Sequence, residues 1–218
     1  MKSLPTVYVV DDDQAVRDSL RWLIESVGLT VETFDSAQAF LARCEKGPLR
    51  GCLVADVRLP GVSGLDLQDR LRQQGLYIPT IVITGHGDVP VAVRAMKAGA
   101  LDFIEKPFSD QTLLDRIREA IGQDQRYREL ADQRDELVDR FHHLTPRERE
   151  VMALVVAGRL NKQIAAELGL SHKTIEVHRA HVMDKMRAES LAELVRIAVV
   201  LEENGVKSPA GETAAASS

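Results

Sequence analysis

Gly51-Cys52-Leu53-Val54-Ala55-Asp56 is an apolar run that ends on a carboxylate. A short, continuous apolar run of this kind reads as a strand buried on both faces, as in a parallel sheet. Three further runs flank it in the chain. Val7-Tyr8-Val9-Val10 ends on Asp11-Asp12, Thr80-Ile81-Val82-Ile83 ends on Thr84, and Leu101-Asp102-Phe103-Ile104 leads to Glu105-Lys106-Pro107. Amphipathic stretches separate these runs, so the first half alternates strand and helix, the pattern of a parallel sheet with right-handed crossovers. Strands are expected near 6–10, 30–34, 51–55, 80–83 and 101–104. Helices are expected near 14–27, 36–44, 63–74, 88–98 and from 110 onward. Gly28, Gly75 and Gly99 fall where helix C-caps belong, and Asp13 falls at a helix N-cap.

In open α/β sheets the ligand crevice lies outside the carboxyl ends of the strands, so Asp11, Asp12 and Asp56 are expected to converge there. Carboxylates that crowd one another are unfavourable without a compensating cation. Mg²⁺ suits such a cluster, because it prefers oxygen ligands and keeps positions open for water and phosphate. Lys106 and Thr84, at two other strand ends, offer a point charge and a hydroxyl donor to a phosphoryl group. A strand-end Asp on its own is more often a turn or cap residue. Acids, hydroxyl and lysine at four different strand ends make that reading a coincidence, and the set points to metal-assisted phosphoryl chemistry at an aspartate.

Val10-Asp11-Asp12-Asp13, Asp56-Val57-Arg58-Leu59-Pro60-Gly61, Thr84-Gly85-His86-Gly87 and Phe103-Ile104-Glu105-Lys106-Pro107-Phe108 occur in that order. Together they resemble the receiver domain of two-component response regulators, over residues 4 to 122. The resemblance implies a flavodoxin-like α/β receiver with a five-stranded parallel sheet. It makes Asp56 the phosphorylated residue and Mg²⁺ the cofactor, held by Asp11, Asp12, the Asp56 carboxylate and the Arg58 backbone carbonyl. Lys106 would stabilise the phosphoryl group, and Thr84 and Phe103 would be the switch pair.

The chain has 218 residues, room for two small domains, and its composition is that of a globular protein. No apolar stretch approaches the roughly 20 residues that span a bilayer, and the start lacks a signal-peptide core. Cys44 and Cys52 form no disulfide or metal pattern, as expected of a cytoplasmic protein with no membrane partner. Charge is uneven along the chain. Residues 1–122 hold 14 Lys and Arg against 17 Asp and Glu, whereas 144–201 hold 9 against 7. The change of sign makes nucleic-acid binding plausible for the second half.

From Asp110 to about Arg140 the chain has no Pro and only Gly122, which predicts a long helix. Tyr127, Leu130, Arg134, Leu137 and Phe141 recur at the 3-4-3-4 spacing of a coiled-coil seam, with Arg134 out of character. Two alternatives stand here: a dimerising seam, or a solvated connector whose apolar residues pack on either domain. The expected division is a receiver over 1–122, a helical linker over 123–143, a DNA-binding domain over 144–203 and a disordered tail over 204–218.

Residues 144–201 read as four short helices. Thr145, Pro146 and Glu148 form a capping box with Pro at the first helical position. Asn161 to Gly169 is a second helix ending on a Gly stop, Ser171 caps a third helix to Met186, and Ser190 caps a fourth. In the last, Leu191, Leu194, Val195 and Ala198 make an apolar stripe. Leu144-Thr145-Pro146-Arg147-Glu148, Asn161-Lys162-Gln163-Ile164-Ala165, Leu170-Ser171, Thr174-Ile175-Glu176-Val177-His178-Arg179 and Lys185-Met186 resemble the LuxR-type helix-turn-helix of FixJ/NarL-class regulators. The chain therefore reads as an α/β receiver joined by a long helix to an all-α helix-turn-helix domain of four helices.

On the third helix Ile175, His178, Val182 and Met186 share the face expected to meet the core. Lys173, Glu176, Val177 and Ala180 lie opposite, near the end that enters a major groove. Val177 suits a thymine methyl and Glu176 a cytosine amino group, Thr174 joins them, and Lys173, Arg179 and Lys185 suit phosphates. The implied partners are a sensor histidine kinase, double-stranded DNA, RNA polymerase and, on phosphorylation, a second copy of the chain.

Rival readings fail on particular residues. A haloacid-dehalogenase-like phosphatase needs a second acid two residues after its nucleophile, where this chain has Arg58. A receptor for a lipid signal needs a large aromatic-lined pocket, and the chain has a single Trp22. The protein is therefore not expected to be a dedicated enzyme.

Overall fold

The computed structural model describes residues 4–85 and 89–206. The chain folds as two units, Met1–Arg128 and Glu129–Ser218. His86 and Gly87 of the third motif, and the expected tail from 207 onward, lie outside the described residues.

The first unit is a five-stranded parallel sheet of order β2-β1-β3-β4-β5. Its strands are β1 Thr6–Val10, β2 Thr30–Phe34, β3 Gly51–Asp56, β4 Thr80–Thr84 and β5 Asp102–Glu105. Helices α1 Gln14–Ser26, α2 Ala37–Cys44, α3 Gly64–Gln73 and α4 Val89–Lys97 separate them, and α5 Asp110–His142 follows. β1, β3 and β4 are buried throughout, whereas the edge strand β2 is half-exposed. That is why the interior runs are continuously apolar while Thr30-Val31-Glu32-Thr33-Phe34 tolerates an acid.

The two-residue period of the strands sorts their side chains into two cores. Val7, Val9, Cys52 and Val54 pack with Leu20, Ile24, Leu113 and Ile117 on one face. Tyr8, Val10, Leu53 and Ala55 pack with Phe40, Leu67 and Leu71 on the other. A smaller cluster of Leu65, Val82, Ala95 and Ala100, joined by Phe103, covers the β4–β5 end. Gly51 opens β3 at φ +117°, and a Cβ there would lie 2.1 Å from the Thr6 carbonyl oxygen. Only glycine lets β1 and β3 approach at that point.

Helix α5 runs unbroken for 33 residues. Its apolar residues divide between the two bodies of the chain. Tyr127 stacks on Tyr77 at 3.8 Å between ring centroids, and beside it Asp124 is buried, accepting from Gly51 N and Arg128 Nε at 2.8 Å each. Further along, Phe141 is buried in the second unit's core with Leu137 packed against it, while Leu130 is exposed.

The second unit consists, among the described residues, of the end of α5 with α6 Pro146–Val156, α7 Asn161–Leu168, α8 His172–Met186 and α9 Leu191–Glu203. Their shared core includes Leu144, Val151, Met152, Ile164, Ile175, Val182, Met186, Leu194 and Ile197. The expected capping box is present: Thr145 Oγ1 accepts from Glu148 N at 3.3 Å and Glu148 Oε2 from Thr145 N at 2.8 Å. Gly169 ends α7 in the left-handed region at φ 64°. The α9 stripe is present in part. Leu194 and Ala198 enter the core as expected and are joined there by Ile197 and Leu201, whereas Leu191 is 42% exposed and Val195 only half-buried. Val206 also packs on this core, so order extends beyond α9. No helix among the described residues is long and apolar enough to cross a membrane.

Candidate functional site

β1 and β3 are neighbours in the sheet, and both end on acids, so Asp11 and Asp56 meet at the carboxyl edge. Both are buried, at 2% and 6% exposure. The β5–α5 loop brings Lys106 between them, its Nζ donating to Asp11 Oδ2 at 2.9 Å and Asp56 Oδ1 at 3.0 Å. The remaining oxygens are engaged by backbone. Asp11 Oδ1 accepts from Asp13 N at 2.9 Å and Asp56 Oδ2 from Arg58 N at 2.6 Å. Burial alone would lower the Lys106 pKa; hydrogen bonds to Asp11 and Asp56 outweigh it and raise the ammonium above its ordinary 10.5.

Three features hold these side chains in place. Asp13 caps α1 as expected, accepting from Ala15 N at 2.8 Å. Lys106 N donates to Thr84 O at 2.7 Å, which ties the lysine to the end of β4. At Gly64, which opens α3, a Cβ would fall 2.2 Å from the Asp56 carbonyl oxygen. Glycine there lets α3 begin directly against the acid.

The other expected residues divide. Thr84 is fully buried at the end of β4, and Phe103 is half-buried in the cluster of Leu65, Val82 and Ala95. Asp12 is exposed, and its carboxylate accepts no hydrogen bond among the described residues. The Arg58 side chain is exposed as well.

No three His, Cys, Asp or Glu side chains come close enough to share a metal, among the described residues. Two acids do: Asp11 and Asp56 both reach one ammonium. Mg²⁺ commonly takes one or two carboxylates and fills its other positions with water and substrate phosphate, so this hard-oxygen pair beside the exposed Asp12 fits it.

In the second unit, α8 presents Lys173, Glu176, Val177 and Ala180 to solvent, with Ile175, Val182 and Met186 buried behind them and His178 half-buried. Thr174 shares a hydrogen bond of 2.7 Å with the cap residue Ser171. Arg179 donates to Asn161 Oδ1 at 3.0 Å. Lys185, expected at phosphate, donates to Glu148 Oε2 at 2.6 Å. Burial alone would raise the Glu148 pKa, but the bonds from Lys185 and Thr145 outweigh it and hold the carboxyl below its ordinary 4.5. His172 Nδ1 lies 3.3 Å from Glu176 Oε1.

Comparison with known proteins accounts for both units. Residues 7–118 match the response regulator receiver domain, and residues 142–198 match the bacterial regulatory proteins of the luxR family. The chain is 51% identical to the transcriptional regulatory protein FixJ of Azorhizobium caulinodans, covering 91% of this chain and 93% of that one. Nodulation protein W of Bradyrhizobium diazoefficiens is also 51% identical, over 89% of this chain and 86% of its own. Among solved structures, response regulator StyR aligns at a TM-score of 0.80 with 46% identity, covering 90% of this chain and 98% of that one. Full-length FixJ from B. japonicum aligns at 0.56 with 48% identity, over 91% and 98%. The strand-end acids with their lysine and the helix-turn-helix are thus the two halves of one architecture, and the chain belongs to the FixJ-type response regulators, transcription regulators with a receiver domain and a LuxR-type DNA-binding domain.

Proposed function

We propose that Asp56 accepts a phosphoryl group from a phosphohistidine on a partner sensor kinase, and that its phosphorylation controls DNA binding by α8. The observation that carries this reading is the single Lys106 ammonium held by both Asp11 and Asp56 at the carboxyl edge of the sheet. An Asp56 oxygen attacks the phosphorus, the P–N bond breaks and the imidazole leaves with the electron pair. Lys106 neutralises charge that builds on the transferring oxygens, and the Arg58 N–H keeps Asp56 oriented. Mg²⁺ would be held by Asp11, Asp12, Asp56 and the Arg58 carbonyl, where it supplies charge neutralisation. The protein acts as a stoichiometric acceptor rather than a dedicated enzyme.

Phosphorylated Asp56 offers new acceptor oxygens. Thr84 turns toward them and Phe103 fills the space vacated beside Ala95, which alters the α4–β5 surface and favours a homodimer. Two α8 helices then address half-sites about one helical turn apart. In this reading Val177, Glu176, Ala180 and Thr174 face bases, and Lys173 and Arg179 face phosphates. Lys185 contributes by fixing α8 through Glu148. The division into receiver, linker helix and DNA-binding domain, residence in the cytoplasm and contact with RNA polymerase belong to the same proposal.

The test is Asp56→Asn, assayed for incorporation of phosphate from acetyl phosphate and for DNA affinity with and without it. Loss of both labelling and the phosphate-dependent gain in affinity is the expected result; undiminished labelling overturns the reading.

A further inference from the structure

Arg17 lies at the fourth position of α1, one turn inside the helix that Asp13 caps. A cation near a helix N-terminus opposes the helix dipole, so helix formation gives no reason for arginine there. Its contacts do. Nη1 of Arg17 donates to the backbone carbonyl of Asp11 at 2.8 Å and to that of Asp12 at 2.9 Å. One guanidinium nitrogen thus pins the carbonyls of both strand-end acids.

The effect is on side-chain direction. Asp11 is already fixed at its side chain by Lys106 and the Asp13 N–H. Asp12 has no such tether among the described residues: it is exposed, and its carboxylate accepts no hydrogen bond from them. What orients Asp12 is the backbone on either side of it, and Arg17 holds that backbone from outside the acid cluster.

We infer that Arg17 is a positioning residue for the acid pair, holding the β1–α1 turn so that Asp11 and Asp12 present their carboxylates to a divalent cation. The inference rests on the reading of Asp56 as a metal-assisted phosphoacceptor.

The structure opposes two effects of opposite sign. As a positive charge beside a cation site, Arg17 disfavours Mg²⁺ by Coulomb repulsion, so its removal alone tightens binding. As the clamp on the turn, its removal weakens binding. The measurement that separates them is Mg²⁺ titration of the full-length chain, followed by backbone amide NMR of residues 10–17 and by the melting temperature. Arg17→Met raises the Mg²⁺ half-saturation concentration by about tenfold, the lower end of what outer hydrogen-bond partners contribute to metal sites. Arg17→Lys, which keeps the charge and one donor nitrogen on a shorter side chain, recovers part of that loss. Unchanged or tighter binding in Arg17→Met overturns the inference, as does an Arg17→Lys variant no better than Arg17→Met. If Arg17→Met fails to fold, Arg17→Gln, which removes the charge and is too short to span both carbonyls, decides: unchanged or tighter half-saturation refutes the clamp, and a several-fold rise supports it. Absence of Mg²⁺ binding in the wild-type chain would instead refute the functional reading beneath it.

Discussion

At the carboxyl edge of the receiver sheet all four carboxylate oxygens of Asp11 and Asp56 accept a hydrogen bond, and the two residues are nearly inaccessible to solvent. On α8, Lys173, Val177 and Ala180 stand in solvent. In the proposed function the acid site acts on a group of a few atoms, so its energy lies in preorganisation at low dielectric, where misplacement is costly. The α8 face, in the same proposal, fits a long polyanion, so its partner supplies the missing contacts and each residue contributes modestly. The anchors of α8, Arg179 on Asn161 and Lys185 on Glu148, lie at its flank rather than on that face.

This contrast breaks most readily at Lys106. Lys106→Met leaves two buried carboxylates facing each other, and the metal-free receiver is expected to lose roughly 3 kcal/mol, as when one partner of a buried ion pair is removed. Saturating Mg²⁺ should restore much of that stability; denaturant unfolding with and without Mg²⁺ checks it, and a variant indifferent to the ion would contradict the proposed cation site. The same pair sets an alkaline limit. The Lys106 pKa is raised on folding, so its contribution is complete below 10.5 and is lost as pH rises through the higher folded value. Wild type should therefore lose stability in that range more steeply than Lys106→Met.

The anchoring of α8 gives the next effect. Glu148→Ala removes half of the capping box and the partner of Lys185, and is expected to cost the second unit roughly 2–3 kcal/mol. Because the folded Glu148 pKa is depressed, its contribution is present above 4.5 and fades as pH falls through the folded value. A stability-versus-pH profile in which wild type and Glu148→Gln differ equally at pH 7 and pH 2 would show the pair to be inert.

Lys173→Ala with Arg179→Ala sharpens the other side of the comparison. If both residues neutralise phosphates, the slope of log affinity against log salt should fall by about 1.8. An unchanged slope would remove them from the interface.

The smallest effect is expected at Arg187. It ends α8 at φ 51°, the one described non-glycine residue with positive φ. Arg187→Gly should relieve the left-handed strain and raise the second unit's stability by about 0.5 kcal/mol, net of the exposed pair with Glu136 at 3.4 Å. A lower melting temperature would mean that this pair outweighs the strain.

Local chemistry was legible because its signals are short-range. Apolar runs ending on Asp11, Asp56 and Thr84 mark strands without reference to the rest of the chain, and Thr145, Ser171 and Ser190 mark helix starts by their own hydrogen bonds. Gly64 and Arg17 escape notice for the opposite reason. Glycine before a helix and arginine in its first turns are ordinary in sequence, and their meaning lies in an Asp56 carbonyl 2.2 Å from an absent Cβ and in two carbonyls 2.8 and 2.9 Å from a guanidinium. Leu191 and Val195 mislead because periodicity marks an apolar stripe, whereas which of its residues another helix covers is set by tertiary packing.

The sequence by itself determined the alternation of strands and helices, the four-helix second half and the residue types of the acid site, since hydrophobic period, caps and turns act over a few residues. Only the tertiary structure decided that Lys106 bridges acids 95 and 50 positions away, that Asp124 is buried beside Gly51, 73 positions back, and that Lys185 serves Glu148. Those pairings follow from strand order and helix packing. Both are set by the joint burial of many distant side chains, and no local window contains that balance.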